Sequence, residues 1–214
     1  MNEGFVCERL SPAQLDALLA SGWRHFGRSF FRYDRLVQEG RTFHVLPLRL
    51  PLAAFSPSRS QRRVLRRNGD LSLRVVPAFV DDAAETLFER HKTRFEKNVP
   101  ESLHSFVSER PERVPCPCAC LCLHQRGRLV GLSYLDLGEA GSSSVYQMFE
   151  PDEERRSLGV LMILLAIRVS AELGKSLYYP GYAYREPSHY DYKKRFAGLC
   201  GYDWRGEWRG LEAY

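Results

Sequence analysis

Ser144-Val145-Tyr146-Gln147-Met148-Phe149-Glu150-Pro151-Asp152-Glu153-Glu154-Arg155-Arg156-Ser157-Leu158-Gly159 opens the stretch on which the rest of the chain depends, and it runs on to Tyr182. Residues 144–149 are rich in aromatic and β-branched types and read as a strand. The polar residues 150–154 end it. From Val160 to Leu173 the chain is apolar on nearly every face, which predicts a buried helix of about four turns. Gly174 suits the left-handed residue that closes a helix, and Ser176-Leu177-Tyr178-Tyr179 reads as a second strand that Pro180-Gly181 breaks. Strand, helix, strand is a βαβ unit, the crossover that parallel strands require. With Arg168 and Glu172 near its end, the helix is too short and too charged to span a membrane.

The start of that helix is where chemistry is expected. A first turn presents unpaired backbone N–H groups and the positive end of the peptide dipole, which together attract anions. Arg155 and Arg156 come immediately before it, and Gly159 lets a ligand approach the backbone. A phosphate site fits this arrangement. So does a solvated turn in which the two arginines pair with the acidic residues before them.

The 214 residues suffice for one generous domain or two small ones, and no repeat or low-complexity linker interrupts them. Hydrophobic content of 44% and charged content of 27% are ordinary for a soluble globular chain. A net charge of +5 permits an anionic partner without requiring one. Met1-Asn2-Glu3-Gly4-Phe5 has neither a basic leader nor an apolar core, so a cytoplasmic location and no membrane partner are expected. Four of the six cysteines, Cys116, Cys118, Cys120 and Cys122, alternate. That is a strand period, with all four on one sheet face and neighbours about 6.6 Å apart, and it predicts small buried hydrophobes rather than a metal knuckle.

Residues 11–20 read as a helix with Ser11 as N-cap, Pro12 first and Gln14 completing a capping box. Residues 22–33 suggest two short strands bent at Gly27, and 42–52 another strand with Pro47 at an edge or bulge. Residues 71–76 form a strand and 81–95 an amphipathic helix in which His91 is structural. The proline-rich segment 96–115, with a short helix over 102–109, reads as a loop carrying substrate contacts. Residues 118–124 and 129–137 flank a turn and make a hairpin. The C-terminal tail is dense in aromatic and basic residues.

Between Ser58 and Asp70 lie five arginines within nine residues. Arg59, Arg62, Arg63, Arg66 and Arg67 recur at i, i+3, i+4, i+7 and i+8, which on a helix is a single basic stripe. Nothing acidic interrupts it, and guanidinium forks favour phosphate over generic solvation.

From Leu71 onward the element order resembles the GNAT acyltransferase fold, an α+β arrangement of a mixed sheet flanked by helices. Three runs narrow the likeness. Gly22-Trp23-Arg24 with Ser58-Arg59-Ser60-Gln61-Arg62-Arg63 and Arg67-Asn68-Gly69-Asp70 resembles the signature of arginyl-tRNA–protein transferases and their bacterial leucyl-transferring relatives. Residues 144–159 are similar to that family's acyl-site turn, and Gly181-Tyr182 with Tyr192-Lys193-Lys194-Arg195-Phe196 to its C-terminal motif. The resemblance covers roughly residues 11–205. It implies a small N-terminal subdomain over 1–57, a transferase domain over 58–214, and transfer of arginine or leucine from charged tRNA to a protein's α-amino group, the N-degron reaction, without a free cofactor. Its matching runs add Gln61, Asn68, Lys193 and Arg195 to the substrate-binding set. Family members usually carry cysteines between the first run and the Pro-Leu-Arg strand, where a metal or iron–sulfur cluster is held. Here residues 33–50 contain none, His44 stands near one expected position, and no metal site is expected.

An aminoacyl ester is already activated, so the enzyme must chiefly position it and accept a proton from the attacking amine. The resemblance places the tRNA's terminal phosphates at Arg156, Ser157 and Gly159 and its acceptor stem on the arginine stripe. Tyr146, Tyr182 and Tyr192 are the candidate catalytic donors to the developing oxyanion. No carboxylate has a distinctive spacing, and none is assigned as general base. Two other readings share the residues: an acetyl-CoA-dependent N-acyltransferase using the same helix start, and a non-catalytic tRNA- or protein-binding relative.

Overall fold

The computed structural model describes the backbone of residues 1–214 and every side chain except that of Glu154. A strand that the sequence reading missed, β1 (Asn2–Val6), comes first. In helix α1 (Pro12–Ala20) the capping box forms: Ser11 Oγ accepts from Gln14 N, and Gln14 Oε1 accepts from Ser11 N. Strands β2 (Arg24–Phe26) and β3 (Ser29–Tyr33) turn at Gly27, and β1 pairs with β3 to complete a three-stranded antiparallel sheet. Next come β4 (Arg35–Gln38), β5 (Arg41–Pro51), helix α2 (Arg59–Arg67), β6 (Ser72–Pro77) and helix α3 (Asp82–Lys92). Of the short helix expected over 102–109, one 3₁₀ turn forms, Leu103–Ser105. The hairpin β7 (Cys118–Gln125) and β8 (Arg128–Leu137) leads to β9 (Gly141–Phe149), which starts ahead of the expected Ser144. A 3₁₀ segment, Pro151–Arg156, then feeds helix α4 (Leu158–Glu172), followed by β10 (Leu177–Tyr184), β11 (Cys200–Tyr202) and β12 (Trp208–Gly210).

Nine strands form one mixed sheet in the order β12-β11-β5-β10-β9-β8-β7-β6, with β4 on β5. β9 and β10 are parallel and α4 is their crossover, as the opening stretch predicts. The helix closes by two reverse bonds, Gly174 N to Ala171 O and Lys175 N to Ser170 O, which require the left-handed φ of 72° at Gly174.

The N-terminal part is tied into the large sheet. The boundary at residue 57 does not separate two sheets, because β5 lies inside the large sheet between β10 and β11. Only β1, β2 and β3 form a sheet of their own. Pro47 pairs opposite Tyr182 on one side and on the other lies in the gap between β4 and β11, a local edge as expected. Its missing N–H costs no ladder bond: Val45 N points to Asp34 O on the β4 side, amides alternate along a strand, and the pairing with β4 has ended before that with β11 begins at Leu48.

The sheet separates two apolar layers. Leu121, Leu123, Leu46, Leu48 and Leu50 pack beneath the buried face of α4, and α2 leans on the same layer through Val64 and Leu65. On the opposite face Cys118, Cys120 and Cys122 join Leu87, Phe88, Leu132 and Tyr134 under α3. Cys116 does not share that face. It precedes β7, so the strand period does not reach it, and it packs with Leu15, Leu19 and Tyr179.

Candidate active site

β9 and β10 hold parallel register only over Gly141–Ser143 and Leu177–Tyr179. Pro180 lacks an amide hydrogen, Gly181 has φ of 99°, and the register of β10 on β5 shifts between Tyr178 and Gly181. Beyond that point β10 follows β5 while β9 stays with β8. The two strands part, and the β9 backbone from Ser144 onward loses its β10 neighbour. Arg24, at the start of β2, fills the opening. Its Nη1 donates to Ser143 Oγ at 2.5 Å and its Nη2 to the Ser144 carbonyl. Tyr178 Oη and Ser144 Oγ lie 2.7 Å apart on the floor of the wedge. From the other side the half-buried Lys193 reaches in, donating to Tyr182 O at 3.3 Å with its ammonium 4.9 Å from the Tyr190 ring centroid.

The wedge is short of negative charge. Desolvation lowers the pKa of Arg24, and desolvation with the charge of Arg24 pushes Lys193 down to about 7. Among the described residues neither forms an ion pair. Asp136 favours the charged Arg24 from nearby, but its Oδ2 is already bound to His25 Nε2 at 2.7 Å. Burial raises the pKa of Tyr33, Tyr146, Tyr182, Tyr184, Tyr190 and Tyr192, so these phenols stay protonated at neutral pH. Tyr190 adds to the shifts at Tyr33, Tyr146, Tyr184 and Tyr192, which marks them as one neighbourhood.

The three expected oxyanion donors fare differently within it. Tyr182 Oη donates to Gly22 O at 2.6 Å, so its single proton already ties the N-terminal hairpin to β10. Tyr146 stacks on Phe106 with centroids 3.9 Å apart, and its buried hydroxyl has no partner among the described residues. Phe106 comes from the loop expected to carry substrate contacts. Tyr192, half-buried, has a pKa pushed up to about 12 by desolvation and by Tyr190.

The expected phosphate residues cluster beside the wedge. Ser157 sits at the start of α4 in left-handed conformation, φ 56° and ψ 47°, and its hydroxyl caps nothing. A Cβ at Gly159 would touch the Phe149 ring at 3.4 Å, an ordinary contact. Arg156 is engaged by Asp70 through Nη1 at 2.8 Å and Nη2 at 3.0 Å, and by Glu153 through Nε at 2.7 Å. Those contacts raise its pKa, and the Arg156 fork lowers that of Asp70 to about 2. α2 is fastened at both ends. Ser58 and Gln61 form a capping box, and buried Gln61 donates to Arg195 O at 3.2 Å. Buried Asn68 donates to Val64 O at 2.9 Å and to Arg156 O at 3.0 Å, and Arg67 donates to Arg155 O. Gln61 and Asn68 thus position the helix, while Arg59, Arg62, Arg63, Arg66 and Arg67 face outward, all exposed. Arg195 is exposed as well.

Sequence reasoning passed over Arg24 and Tyr190 as site residues. Arg24 was in view, as the third residue of the Gly-Trp-Arg run. Tyr190 has no local pattern, because what places it is the packing of the tail. His91, expected to be structural, is buried beneath Phe149, with Nδ1 3.0 Å from its carbonyl oxygen, and burial lowers its pKa to about 4. His44, near one expected cysteine position, gives Nδ1 and backbone N to Glu186, at 2.5 and 2.7 Å. Elsewhere His25, Cys116 and Asp136 bring potential ligand atoms within 4.8 Å of one another, and His25 bridges Asp136 and Gly27 O, tying β2 to β8.

Comparison with known proteins meets this geometry. The family described as "Arginine-tRNA-protein transferase, C terminus" matches residues 84–202, a span holding both sides of the wedge and α4. The aspartate/glutamate leucyltransferase of Marinobacter nauticus (strain VT8) is 36% identical over 91% of this chain and 81% of its own length. That of Stenotrophomonas maltophilia (strain K279a) is 34% identical over 87% and 77%. Among solved structures, L-PGS from Bacillus licheniformis superposes with a TM-score of 0.52 at 15% identity, over 87% of this chain and 53% of that one, a likeness of fold alone. With more than half of its length matched to the family and relatives above 30% identity across most of it, the chain belongs to the arginine-tRNA–protein transferase family, as an aminoacyltransferase.

Proposed function

We propose that this chain transfers leucine from its tRNA to the α-amino group of proteins that begin with aspartate or glutamate. The observation that carries the proposal is the wedge between β9 and β10: two cations without an acidic partner, walled by protonated phenols, beside an exposed arginine face. The leucyl and acidic-acceptor assignments rest on what the relatives are called.

The reaction needs little covalent help. The acceptor nitrogen attacks the ester carbonyl carbon, the C–N bond forms, and the bond to the ribose oxygen breaks as that oxygen takes a proton. The chain's part is to hold both substrates in line and keep water out. Tyr146, with a free buried hydroxyl, is the best-placed donor to the oxyanion, and Tyr192 is the second. The start of α4 and the exposed face of α2 take the phosphates. No cofactor enters this scheme, and acetyl-CoA has no part in it.

The test is transfer of label to a peptide with N-terminal aspartate from leucyl-tRNA, arginyl-tRNA and acetyl-CoA in parallel. The proposal predicts label from leucyl-tRNA. Label from acetyl-CoA alone would replace it with the acetyltransferase reading.

A further inference from the structure

Arg24 and Lys193 come from opposite ends of the sequence and converge on one small volume above Gly181. A Cβ built on that glycine would lie 3.3 Å from Lys193 Nζ and 3.7 Å from an Arg24 Nη. Gly181 has φ of 99°, which disfavours any side chain, and a side chain there would crowd the ammonium. Arg24 is held by Ser143 and Ser144, and its remaining N–H groups have no partner among the described residues. Lys193 uses one of three ammonium protons on Tyr182 O. Two like charges brought together out of water, with no carboxylate of the chain between them among the described residues, cost stability. Such an arrangement makes sense for an anion that arrives with the substrate.

We propose that Arg24 and Lys193, meeting over Gly181 where β10 leaves β9, form the subsite for the side-chain carboxylate of the acceptor's first residue. The proposal rests on the transferase reading above and adds the residues that set acceptor specificity. A carboxylate matches the site better than a tRNA phosphate. The two cations meet over a single residue of β10, with the Tyr190 ring beside the ammonium, and the exposed arginines of α2 already offer a surface for the nucleic acid. A guanidinium and an ammonium on one carboxylate also explain why an uncharged isostere would be rejected: both cations would then stay desolvated and unpaired.

Lys193 faces Arg24 of β2, Tyr182 of β10, and Tyr190 and His189 of the segment before it. Its low pKa makes the subsite sensitive to pH. The free enzyme loses the Lys193 charge as pH rises through about 7, so affinity for an acidic acceptor falls on the alkaline side. Arginine at the same place stays charged.

The experiment compares peptides beginning with Asp and with Asn, using leucyl-tRNA as donor, on the native chain, Lys193→Met and Lys193→Arg. Lys193 is chosen because Arg24 also braces the strand opening. The native chain should prefer Asp over Asn in kcat/KM. Lys193→Met should lower that preference at least about tenfold, with the KM for leucyl-tRNA unchanged. Lys193→Arg should restore the preference and remove its decline above pH 7. An unchanged Asp-to-Asn ratio in folded Lys193→Met, checked by thermal melting, overturns the subsite while leaving the transferase reading in place. A raised KM for leucyl-tRNA with the ratio intact assigns the pair to the nucleic acid instead and also overturns it. If the native chain transfers nothing from leucyl-tRNA, both readings fall together.

Discussion

Two desolvated bases in this chain carry protons reluctantly, and the pH dependence of stability follows from them. His91 has its pKa depressed to about 4 against an unfolded value of about 6.5, and Lys193 to about 7 against about 10.4. Each is neutral in the fold where the unfolded chain would be protonated. The unfolded state therefore binds more protons in both windows, and stability rises with pH across them. Acidification from pH 6.5 to 4 should cost on the order of 3 kcal/mol through His91 alone. His91→Gln should flatten that fall in thermal melts taken across the window; an unchanged slope would mean that His91 is not held neutral. Lys193→Met should melt higher than the native chain at pH 7, with the gap closing towards pH 10. Tyr146 separates stability from chemistry. Its hydroxyl is buried without a partner, so Tyr146→Phe should hold or raise the melting temperature while slowing transfer about a hundredfold. A normal rate would remove Tyr146 from the mechanism.

At the scale of elements, α2 has two faces with separate duties. The inner one anchors: Asn68 bridges the end of α2 to the turn before α4, so Asn68→Ala should destabilise by about 1–3 kcal/mol, read from urea unfolding. The outer one is exposed. Arg62→Glu with Arg63→Glu should weaken aminoacyl-tRNA binding and make log Kd less steep in log salt by about 2 or more. Unchanged affinity and slope in the double variant would take the acceptor stem off this face. The same split shows what was legible in the sequence. The stripe is a periodicity and could be read directly, as could both capping boxes and the closing glycine of α4, because helices are local. The roles of Gln61 and Asn68 were not readable that way. Their partners, the carbonyls of Arg195 and Arg156, are 134 and 88 residues distant and meet them only in the fold. Arg156 looked equally suited to a ligand or to acidic neighbours, and its guanidinium is shared by Asp70, from the end of α2, and Glu153.

For the whole molecule, the βαβ unit and the hairpins could be laid out in order, but the neighbours of β5 could not. A strand beginning at Arg41 that slots beside β10 is a pairing between distant segments, and it joins the N-terminal part to the sheet that carries the site. That same pairing draws β10 away from β9 and opens the wedge. Arg24 belongs to the small N-terminal sheet yet reaches into the opening, so the site is built from both ends of the chain. Among the described residues no helix is long and apolar enough to cross a membrane. The central claim is that the wedge joins an aminoacyl group from tRNA to an acidic amino terminus. The most direct measurement is mass spectrometry of a peptide with N-terminal aspartate after incubation with the purified chain and leucyl-tRNA. The account predicts one added leucine on the α-nitrogen, absent when acetyl-CoA replaces the charged tRNA. An unmodified peptide, or an acetylated one, would contradict it.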